Sequence, residues 1–520
     1  MESSLKSRRN FARGHQPCGE YGKLAVRRAE WKNKNMKISE MTKDLKKFLD
    51  ESPVGLYAAA NIRGMLLENG YTECQEGSEW KLVPGGRYFV MRNGSAVIAF
   101  QIPKEESWAG FQIAASHLDS PTFRIKSNAE IVVENRYVTL NVEKYGGMLL
   151  APWLDRPLSA AGRVLVRTES GIETRLVNID RDLMIIPNVA IHMNREMNNG
   201  YKWDMKQDLR PLLAGAANLE VKGAGAVNLE VEGREASEPA ADKSAEDIGT
   251  IFRRLVAEEA GVSPEDVLDT DLYLYNREKA SVIGLNGEFI SSGRLDDLQC
   301  AFGTLKGFLA ARPEKSIAVY CAFDNEEVGS MTKQGADSSF LRCTLERIST
   351  ALGRSRGEFM ASLSSSFMIS ADNAHAVHPN HPELEDPSHR PVPNGGIVIK
   401  YSANQKYTTD AVSGAVMKEI CRKAGVPVQI FYNRSDLPGG STLGNISTTQ
   451  LSLNTVDIGL AQLAMHSAYE TAGVKDTEYL ARASEVFFSG AVTGTGDGSY
   501  RLDFGGIGSE RMEHDGKCLF

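Results

Sequence analysis

The stretch Ile317-Ala-Val-Tyr-Cys-Ala-Phe323, followed directly by Asp324-Asn-Glu-Glu327, is the most informative part of the chain. A short apolar run that ends at a polar cluster is typical of a buried strand with functional side chains at its carboxyl end. Buried carboxylates without a partner are very costly. The acids of this cluster are therefore expected to surround a cation.

Two further apolar runs, Phe111–Ala115 and Phe367–Ala371, also end at polar residues. Between such runs, Leu298, Phe302 and Leu305 follow a helical spacing. Strands that alternate with helices predict an α/β fold, in which ligands gather beyond the carboxyl ends of the strands. The polar residues after these runs are thus predicted to share one edge of a sheet.

Length, composition and net charge limit the classes of protein to which this chain can belong. A length of 520 residues predicts two folded units plus tails, and 42 % apolar with 24 % charged residues is typical of a globular protein. No apolar stretch approaches the ~20 residues of a membrane span. A net charge of -8 gives no reason to expect nucleic acid or an anionic membrane as the main partner.

The cysteines and the first residues predict the compartment. Seven scattered cysteines without a CxxC pair favour a reducing environment, and residues 1–37 lack the apolar segment of a secretory signal. A cytoplasmic protein is expected. Residues 1–37 carry ten Lys/Arg against three Glu, which predicts a disordered extension. The alternatives are a mitochondrial transit peptide, translation from Met36 or Met41, or a nucleic-acid-binding head.

Local signals divide the rest of the chain. A first helix is predicted near Met41, and a second from Ser52-Pro53 to Asn69-Gly70, with serine as its N-cap and glycine at its end. Residues 123–285 are β-rich and contain a polar stretch at 234–247, which predicts an inserted domain with a loop or linker. The domain that this insertion interrupts would then be discontinuous, and the Gly-, Ser- and Thr-rich residues 493–520 would form a flexible tail. The two predicted segments of the interrupted domain are 38–122 and 286–492.

Acids and histidines near the predicted strand ends meet the needs of a two-metal hydrolase. Such a site needs a bridging carboxylate, mixed nitrogen and oxygen ligands, and a carboxylate free to accept a proton. Single residues have plainer interpretations: a structural histidine, a solvated Glu-Glu pair, or Asp296-Asp297 as a helix N-cap. The candidates are His117, Asp119, Asp296, Glu326, Glu327, Asp372 and His466.

Six motifs, in order, resemble those of the aspartyl aminopeptidases, a family of cocatalytic zinc exopeptidases. The resemblance covers about Met41 to Val492. The motifs are Ser-His-Leu-Asp-Ser-Pro (116–121), Ile-Pro-Asn-Val-Ala-Ile-His-Met-Asn-Arg (186–195), Arg-Leu-Asp-Asp-Leu (294–298), Phe-Asp-Asn-Glu-Glu-Val-Gly-Ser (323–330), Ser-Ala-Asp-Asn-Ala-His-Ala-Val-His-Pro-Asn (370–380) and Leu-Ala-Met-His-Ser (463–467).

The resemblance implies a fold and a metal centre. The fold would be a mixed central sheet flanked by helices, as in zinc exopeptidases, with the insertion serving as a dimerisation domain. Asp296 would bridge two zinc ions in each subunit. His117 and Asp372 would complete one site. Glu327 and His466 would complete the other, and Co or Mn could substitute in such mixed sites.

The resemblance also implies roles in catalysis and substrate binding. Glu326 would be the general base, and Asp119 would hold His117 in its ligating tautomer. A fixed ammonium at Lys400 suits an acidic side chain at the substrate's N-terminus. His192 would reach the active site of a neighbouring subunit in a homo-oligomer, a tetrahedral dodecamer in the family. The implied substrate contacts are His192, His375, Lys400 and Tyr407.

The predicted function is removal of a single N-terminal residue, preferably Asp or Glu, from peptides. The nearest alternative is another cocatalytic zinc hydrolase, either a broad aminopeptidase or an acyl-amino-acid deacylase, without the acidic-residue pocket. A non-catalytic scaffold is the alternative from another class. Residues 434–442 depart from the family pattern near the site, which bears on the acidic preference more than on the chemistry.

Overall fold

The computed structural model describes residues 38–215, 251–496 and 498–504. The α-helices of this part are α1 Glu40–Glu51, α2 Gly55–Glu68, α3 Ile251–Ala260, α4 Leu295–Ala310, α5 Phe340–Ala351, α6 Arg356–Ser364, α7 Ala411–Ala424, α8 Leu443–Gln450 and α9 Asp476–Ser489. The strands are β1 Thr72–Cys74, β2 Arg87–Arg92, β3 Ala96–Gln101, β4 Phe111–His117, β5 Thr122–Val133, β6 Tyr137–Tyr145, β7 Leu158–Thr168, β8 Gly171–Asn178, β9 Leu212–Gly215, β10 Val267–Asn276, β11 Ser281–Ile283, β12 Phe289–Ser292, β13 Ile317–Phe323, β14 Phe367–Ala371, β15 Ala374–His375, β16 Ile397–Tyr401, β17 Val428–Tyr432, β18 Asn454–Leu463, β19 Glu470–Gly473, β20 Ala491–Gly496 and β21 Ser499–Asp503.

A 13-stranded mixed sheet organises the larger part of the fold. Its main path runs β1-β2-β3-β13-β4-β14-β18-β19-β12-β11, with β15 and β16 paired to β18 and β17 paired to β16. The central strands β13, β4, β14 and β18 are parallel, whereas β3 is antiparallel to β13. Their carboxyl ends therefore lie at one edge of the sheet. The predicted mixed α/β fold is confirmed.

Both faces of the central strands are covered, which explains their continuous apolar sequences. Alternate side chains of a strand point to opposite faces of the sheet. Tyr320 of β13 packs in a cluster that contains Phe302 of α4, and the next residue, Cys321, packs in a second cluster that contains Leu345 of α5. Helices therefore flank the sheet on both sides, as the sequence predicted.

A separate six-stranded antiparallel sheet forms within residues 122–276. Its order is β8-β7-β10-β5-β6-β9, and Phe252 and Val256 of α3 pack in its apolar cluster. This sheet coincides with the β-rich block of the sequence. The strand β11, which falls at the end of that block, pairs instead with β12 in the large sheet.

The second helix begins later than predicted. Val54 is its N-cap residue, so the prediction of Ser52-Pro53 at this end is wrong. The guanidinium of Arg294 donates hydrogen bonds to the carbonyls of Leu49 and Ser52, which hold this segment outside the helix. The predicted end is correct: Asn69 is the C-cap, and Gly70 adopts a left-handed φ of 77° that suits glycine.

Residues 493–496 and 499–503 of the Gly-rich segment form strands, so the predicted flexible tail is wrong there. Strands β20 and β21 pair as an antiparallel hairpin. The hairpin forms because Val492 is buried in the core and Tyr500, Leu502 and Phe504 pack against the same cluster. Residues 505–520, like residues 1–37 and the polar stretch 234–247, lie outside the described residues. Within the described part, none of the helices combines the length and apolarity that crossing a bilayer demands.

Candidate active site

The carboxyl edge of the central sheet brings the predicted site residues together. His117 ends β4, Asp372 directly follows β14, and the Glu326–Glu327 turn follows β13. Asp296 lies in the first turn of α4, and His466 lies in the loop after β18. Four of these parts of the chain follow the parallel strands β4, β13, β14 and β18, whose carboxyl ends lie at one edge, and Asp296 joins them from the start of α4.

Asp296 lies between the two histidines. Its Oδ1 is 3.4 Å from Nε2 of His117, and its Oδ2 is 3.4 Å from Nε2 of His466. Oδ1 of Asp372 is 4.0 Å from the same nitrogen of His117, and Oε2 of Glu327 is 3.4 Å from that of His466. The cluster therefore consists of two groups, each with one histidine and one further carboxylate, that share Asp296.

The donor atoms of this cluster fit zinc. Imidazole nitrogens and carboxylate oxygens are ordinary zinc ligands, and ligand atoms of His117, Asp296 and Glu327 all lie within 4.8 Å of one another. Buried polar atoms normally have hydrogen-bond partners, yet Oδ1 of Asp296 and Oε1 of Glu327 have none among the described residues. Cations bound to these oxygens would satisfy both of them.

The electrostatics of the cluster also favour a cation. Burial and the Asp372 carboxylate raise the pKa of Glu326 to about 8, although the nearby His117 acts to lower it. Burial and the Asp296 carboxylate raise the pKa of Glu327 as well. Burial opposes ionisation of Asp296, but His117 and His466 outweigh it and lower the pKa of that carboxyl. Crowded carboxylates of this kind repel one another unless positive charge lies between them.

Asp119 contacts two of the segments that carry the cluster. Its carbonyl oxygen is 3.0 Å from Nδ1 of His117, closer than its carboxylate at 3.5 Å. The carboxylate accepts hydrogen bonds from the main-chain N–H groups of Glu326 at 3.0 Å and Glu327 at 3.1 Å, and from the hydroxyl of Tyr145 at 2.8 Å. Asp119 thus contacts the imidazole of His117, as predicted, and it also holds the Glu326–Glu327 turn.

Two buried carboxylates, those of Asp297 and Glu470, lie at the site but were not predicted from the sequence as parts of it. Asp297 accepts hydrogen bonds from the main-chain N–H groups of His117 and Asn373, both at 3.2 Å. It is therefore not a helix cap; the N-cap of α4 is Arg294. Glu470 accepts from the N–H groups of His466 and Asp296. No motif distinguishes Glu470, which lies only four residues after His466.

Lys400 and Tyr407 lie beside the cluster. Lys400 is only 3 % exposed, and its ammonium donates a hydrogen bond to the carbonyl of Asn373 at 3.0 Å and lies 3.8 Å from Oδ2 of Asp372. The same nitrogen is 5.4 Å from the centre of the buried Tyr407 ring. Burial disfavours the ammonium, but the Asp372 carboxylate, together with Tyr407 and Asp457, outweighs burial and raises the pKa of Lys400.

The two other predicted substrate contacts occupy different places. His375 ends β15 with an exposed side chain, although the protein packed around it and the Lys400 ammonium lower its pKa. His192 is exposed on the connection between β8 and β9. Within the part of the chain that the structure describes, no hydrogen bond or ion pair joins His192 to the cluster.

A shared carboxylate between two histidines, at the carboxyl edge of a mixed α/β sheet, is typical of a metal-dependent hydrolase. The model of the aminopeptidase I zinc metalloprotease (M18) family matches residues 48–488. The chain is 45 % identical over 453 residues to a probable M18 family aminopeptidase 2 of Clostridium acetobutylicum, across 86 % of this chain and 99 % of that protein. It is 38 % identical over 453 residues to the corresponding Stutzerimonas stutzeri protein, across 87 % and 99 %.

Solved structures agree with these relatives. The structure described as the Ape4 and Nbr1 complex matches with a TM-score of 0.79 and 35 % identity, over 86 % of this chain and 85 % of that chain. The mApe1 dodecamer of S. cerevisiae matches with a TM-score of 0.72 and 26 % identity, over 86 % and 96 %. The chain therefore belongs to the M18 family of zinc aminopeptidases, and it is an enzyme that removes N-terminal residues.

Proposed function

We propose that this aminopeptidase uses two zinc ions and prefers peptides whose N-terminal residue is Asp or Glu. The observation that carries the two-metal centre is the position of Asp296, whose two carboxylate oxygens each lie 3.4 Å from a different histidine. A carboxylate with one ligand partner on each side is the arrangement that a bridging ligand requires.

The ligand roles follow from this arrangement. His117 and Asp372 would hold one zinc ion together with the bridging Asp296. Glu327 and His466 would hold the other ion together with the same bridge. When bound, the ions supply Lewis-acid polarisation of the scissile carbonyl and lower the pKa of a water in contact with them. Co or Mn could substitute because the ligands are mixed nitrogen and oxygen donors.

Glu326 is the proposed general base. It is next to the proposed ligand Glu327, but it has no ion pair with either histidine among the described residues, so its carboxylate is available for proton transfer. It would accept a proton from the attacking water and pass it to the amine of the leaving peptide. Asp119 supports this role as a positioning residue, because its carboxylate accepts the main-chain N–H groups of both glutamates.

The acidic preference rests on Lys400. Its buried ammonium lies beside the proposed ligand Asp372, where a charge-assisted hydrogen bond to an acidic substrate side chain would be strong. Tyr407 packs beside Lys400, and His375 is exposed at the end of β15, so both are proposed as further substrate contacts. A broad aminopeptidase or a deacylase would share the metal centre but would not use Lys400 in this way.

The proposal extends to assembly. One solved relative, the mApe1 of S. cerevisiae, is described as a dodecamer, which supports a homo-oligomer, and specifically a dodecamer, for this chain. Residues 123–285 are proposed as its inserted dimerisation domain, since the strands β5 to β10 form a sheet separate from the one that carries the cluster. His192 is exposed on this part of the chain and would act in the site of a neighbouring subunit.

The test is a substrate panel on the purified full chain. Zinc content, solution mass and kcat/KM are measured with Asp-, Glu- and Leu-anilides and with N-acetyl-aspartate. We expect two zinc ions per subunit, a dodecameric mass, and Asp and Glu preferred over Leu by about tenfold or more, since a charge-assisted hydrogen bond contributes about 1.5–3 kcal/mol. Equal rates on Leu would identify a broad aminopeptidase, and hydrolysis of the acetylated substrate a deacylase.

A further inference from the structure

Glu470 links two distant segments that carry the cluster. Its side chain is buried at the start of β19. Oε1 accepts the main-chain N–H of His466 at 2.8 Å, and Oε2 accepts the main-chain N–H of Asp296 at 3.1 Å. One carboxylate therefore ties together the backbones on which these two side chains are mounted, although 174 residues separate Asp296 from Glu470.

The sheet places Glu470 beneath both segments. Strands β12 and β19 are antiparallel, and Ser292 at the end of β12 is directly opposite Glu470. From Ser292 the chain passes through Gly293 and turns into α4, so Asp296 follows within four residues. A side chain at position 293 would meet the carbonyl of Ala468 at 2.9 Å, which explains why glycine is needed at this close approach.

The backbone at His466 needs external support. His466 has a φ of 66° and Ala464 a φ of 56°, both in the left-handed region that residues with a side chain rarely adopt. Such conformations persist only where surrounding contacts hold them. The N–H of His466 donates to Glu470, and its carbonyl accepts the N–H of Leu149 at 3.0 Å. The direction of the imidazole thus depends on these two hydrogen bonds.

We propose that Glu470 is a positioning residue that aligns His466 with Asp296 so that both can bind one metal ion. The inference rests on the proposed roles of these two residues as ligands. This positioning role needs both oxygens of the Glu470 carboxylate, because each oxygen accepts a different main-chain N–H. A glutamine at this position offers one oxygen and directs its NH2 group toward the other donor, so one of the two links is lost.

Asp476 provides a matched control. Its carboxylate is fully buried and accepts the main-chain N–H groups of Asn394 at 2.6 Å and Gly396 at 3.0 Å. Like Glu470, it joins two backbone donors, but none of its hydrogen-bond partners in the described part of the chain belongs to the cluster. The Asp476→Asn substitution therefore removes a comparable structural contact and leaves the segments of His466 and Asp296 untouched.

The experiment measures zinc dissociation constants by competition with a chelator, on the full chain and its Glu470→Gln and Asp476→Asn variants. Loss of an outer partner of a metal ligand typically weakens metal binding about 10–100-fold. We expect this loss at one of the two zinc ions in Glu470→Gln, with the visible spectrum of one bound cobalt ion altered, and wild-type affinities in Asp476→Asn. Unchanged affinity in a folded Glu470→Gln protein, or an equal loss in both variants, would overturn the inference.

Two further results distinguish a failure of the positioning role of Glu470 from a failure of the proposed function and from misfolding. If the unmodified chain binds fewer than two zinc ions, the proposed function fails, whatever Glu470 does. If Glu470→Gln does not fold, Glu470→Asp decides, since its carboxylate is one methylene shorter and cannot reach both N–H groups. Weakened binding of one zinc ion in that variant supports the positioning role, and wild-type binding overturns it.

Discussion

The ammonium of Lys400 lies 3.8 Å from the carboxylate of Asp372, and both side chains are buried. The residue proposed to recognise an acidic substrate is therefore next to a proposed metal ligand. Since zinc would take up the negative charge of Asp372, the ammonium would then be available to a substrate carboxylate. This arrangement would connect metal binding with the proposed substrate preference.

Replacing Lys400 by Met removes the charge and keeps an unbranched side chain. We expect the ratio of kcat/KM for Asp- over Leu-anilide to fall about tenfold or more, because a charge-assisted hydrogen bond is lost. Lys406→Met, an exposed lysine on the same segment, is the control and should keep the wild-type ratio. A wild-type ratio in Lys400→Met would remove this residue from the specificity role.

Glu326 and Glu327 are adjacent but should respond differently to the same substitution. Glu326→Gln is expected to keep its zinc and to lose about 10²–10⁴-fold in kcat, the usual contribution of a general base. Glu327→Gln should instead lose zinc, because the proposed ligand is altered. Metal analysis and kinetics on both variants check this. Near-normal turnover in Glu326→Gln would show that the assigned base is wrong.

Asp119 should affect turnover by holding the Glu326–Glu327 turn in position. An asparagine there cannot accept both N–H groups of the Glu326–Glu327 turn. We expect kcat to fall about 10–100-fold with little change in KM. Tyr145→Phe removes two hydrogen bonds, the one donated to Asp119 and the one accepted from Asn325, but leaves both oxygens of Asp119 as acceptors. It is the comparison and should have a clearly smaller effect. Equal losses in the two variants would contradict the role of Asp119 in holding the turn.

Removing the metal should lower stability more at high pH than at low pH. Burial raises the pKa of Glu326 and of Glu470 from 4.5 to about 8 in the metal-free chain. A carboxyl group whose pKa is raised by folding stabilises the folded state fully below its unfolded pKa of about 4.5. This stabilisation is lost as the pH rises through the folded-state pKa near 8. Zinc binding, in contrast, strengthens as its ligands lose protons.

Thermal unfolding with and without chelator, at pH 5 and pH 8, measures this difference. Zinc at about 100 times its dissociation constant stabilises a protein by about 2.7 kcal/mol. We expect the gap between the metal-loaded and metal-free proteins to be wider at pH 8. A gap of equal size at both values, or a narrower one at pH 8, would show that the raised carboxyl pKa values do not govern the stability of the metal-free chain.

The sequence predicted the elements that local patterns encode. The run Ile317–Phe323 is a buried strand because seven apolar residues need cover on both faces, and the packing of Tyr320 and Cys321 on opposite sides bears this out. Local signals were weaker at element ends. Ser52-Pro53 satisfied the rules for a helix start, but long-range hydrogen bonds from Arg294 decided where α2 begins.

By itself the sequence determined the fold class, the family and the residue types of the site, because these depend on apolar runs and on motifs within a few residues of one another. Only the tertiary structure decided that Asp296 lies between His117 and His466, that Lys400 is buried against Asp372, and that Glu470 joins two of the segments. The physical reason is that a carboxylate selects its hydrogen-bond partners by distance in space. Segments 174 residues apart along the chain carry no local signal of their contact.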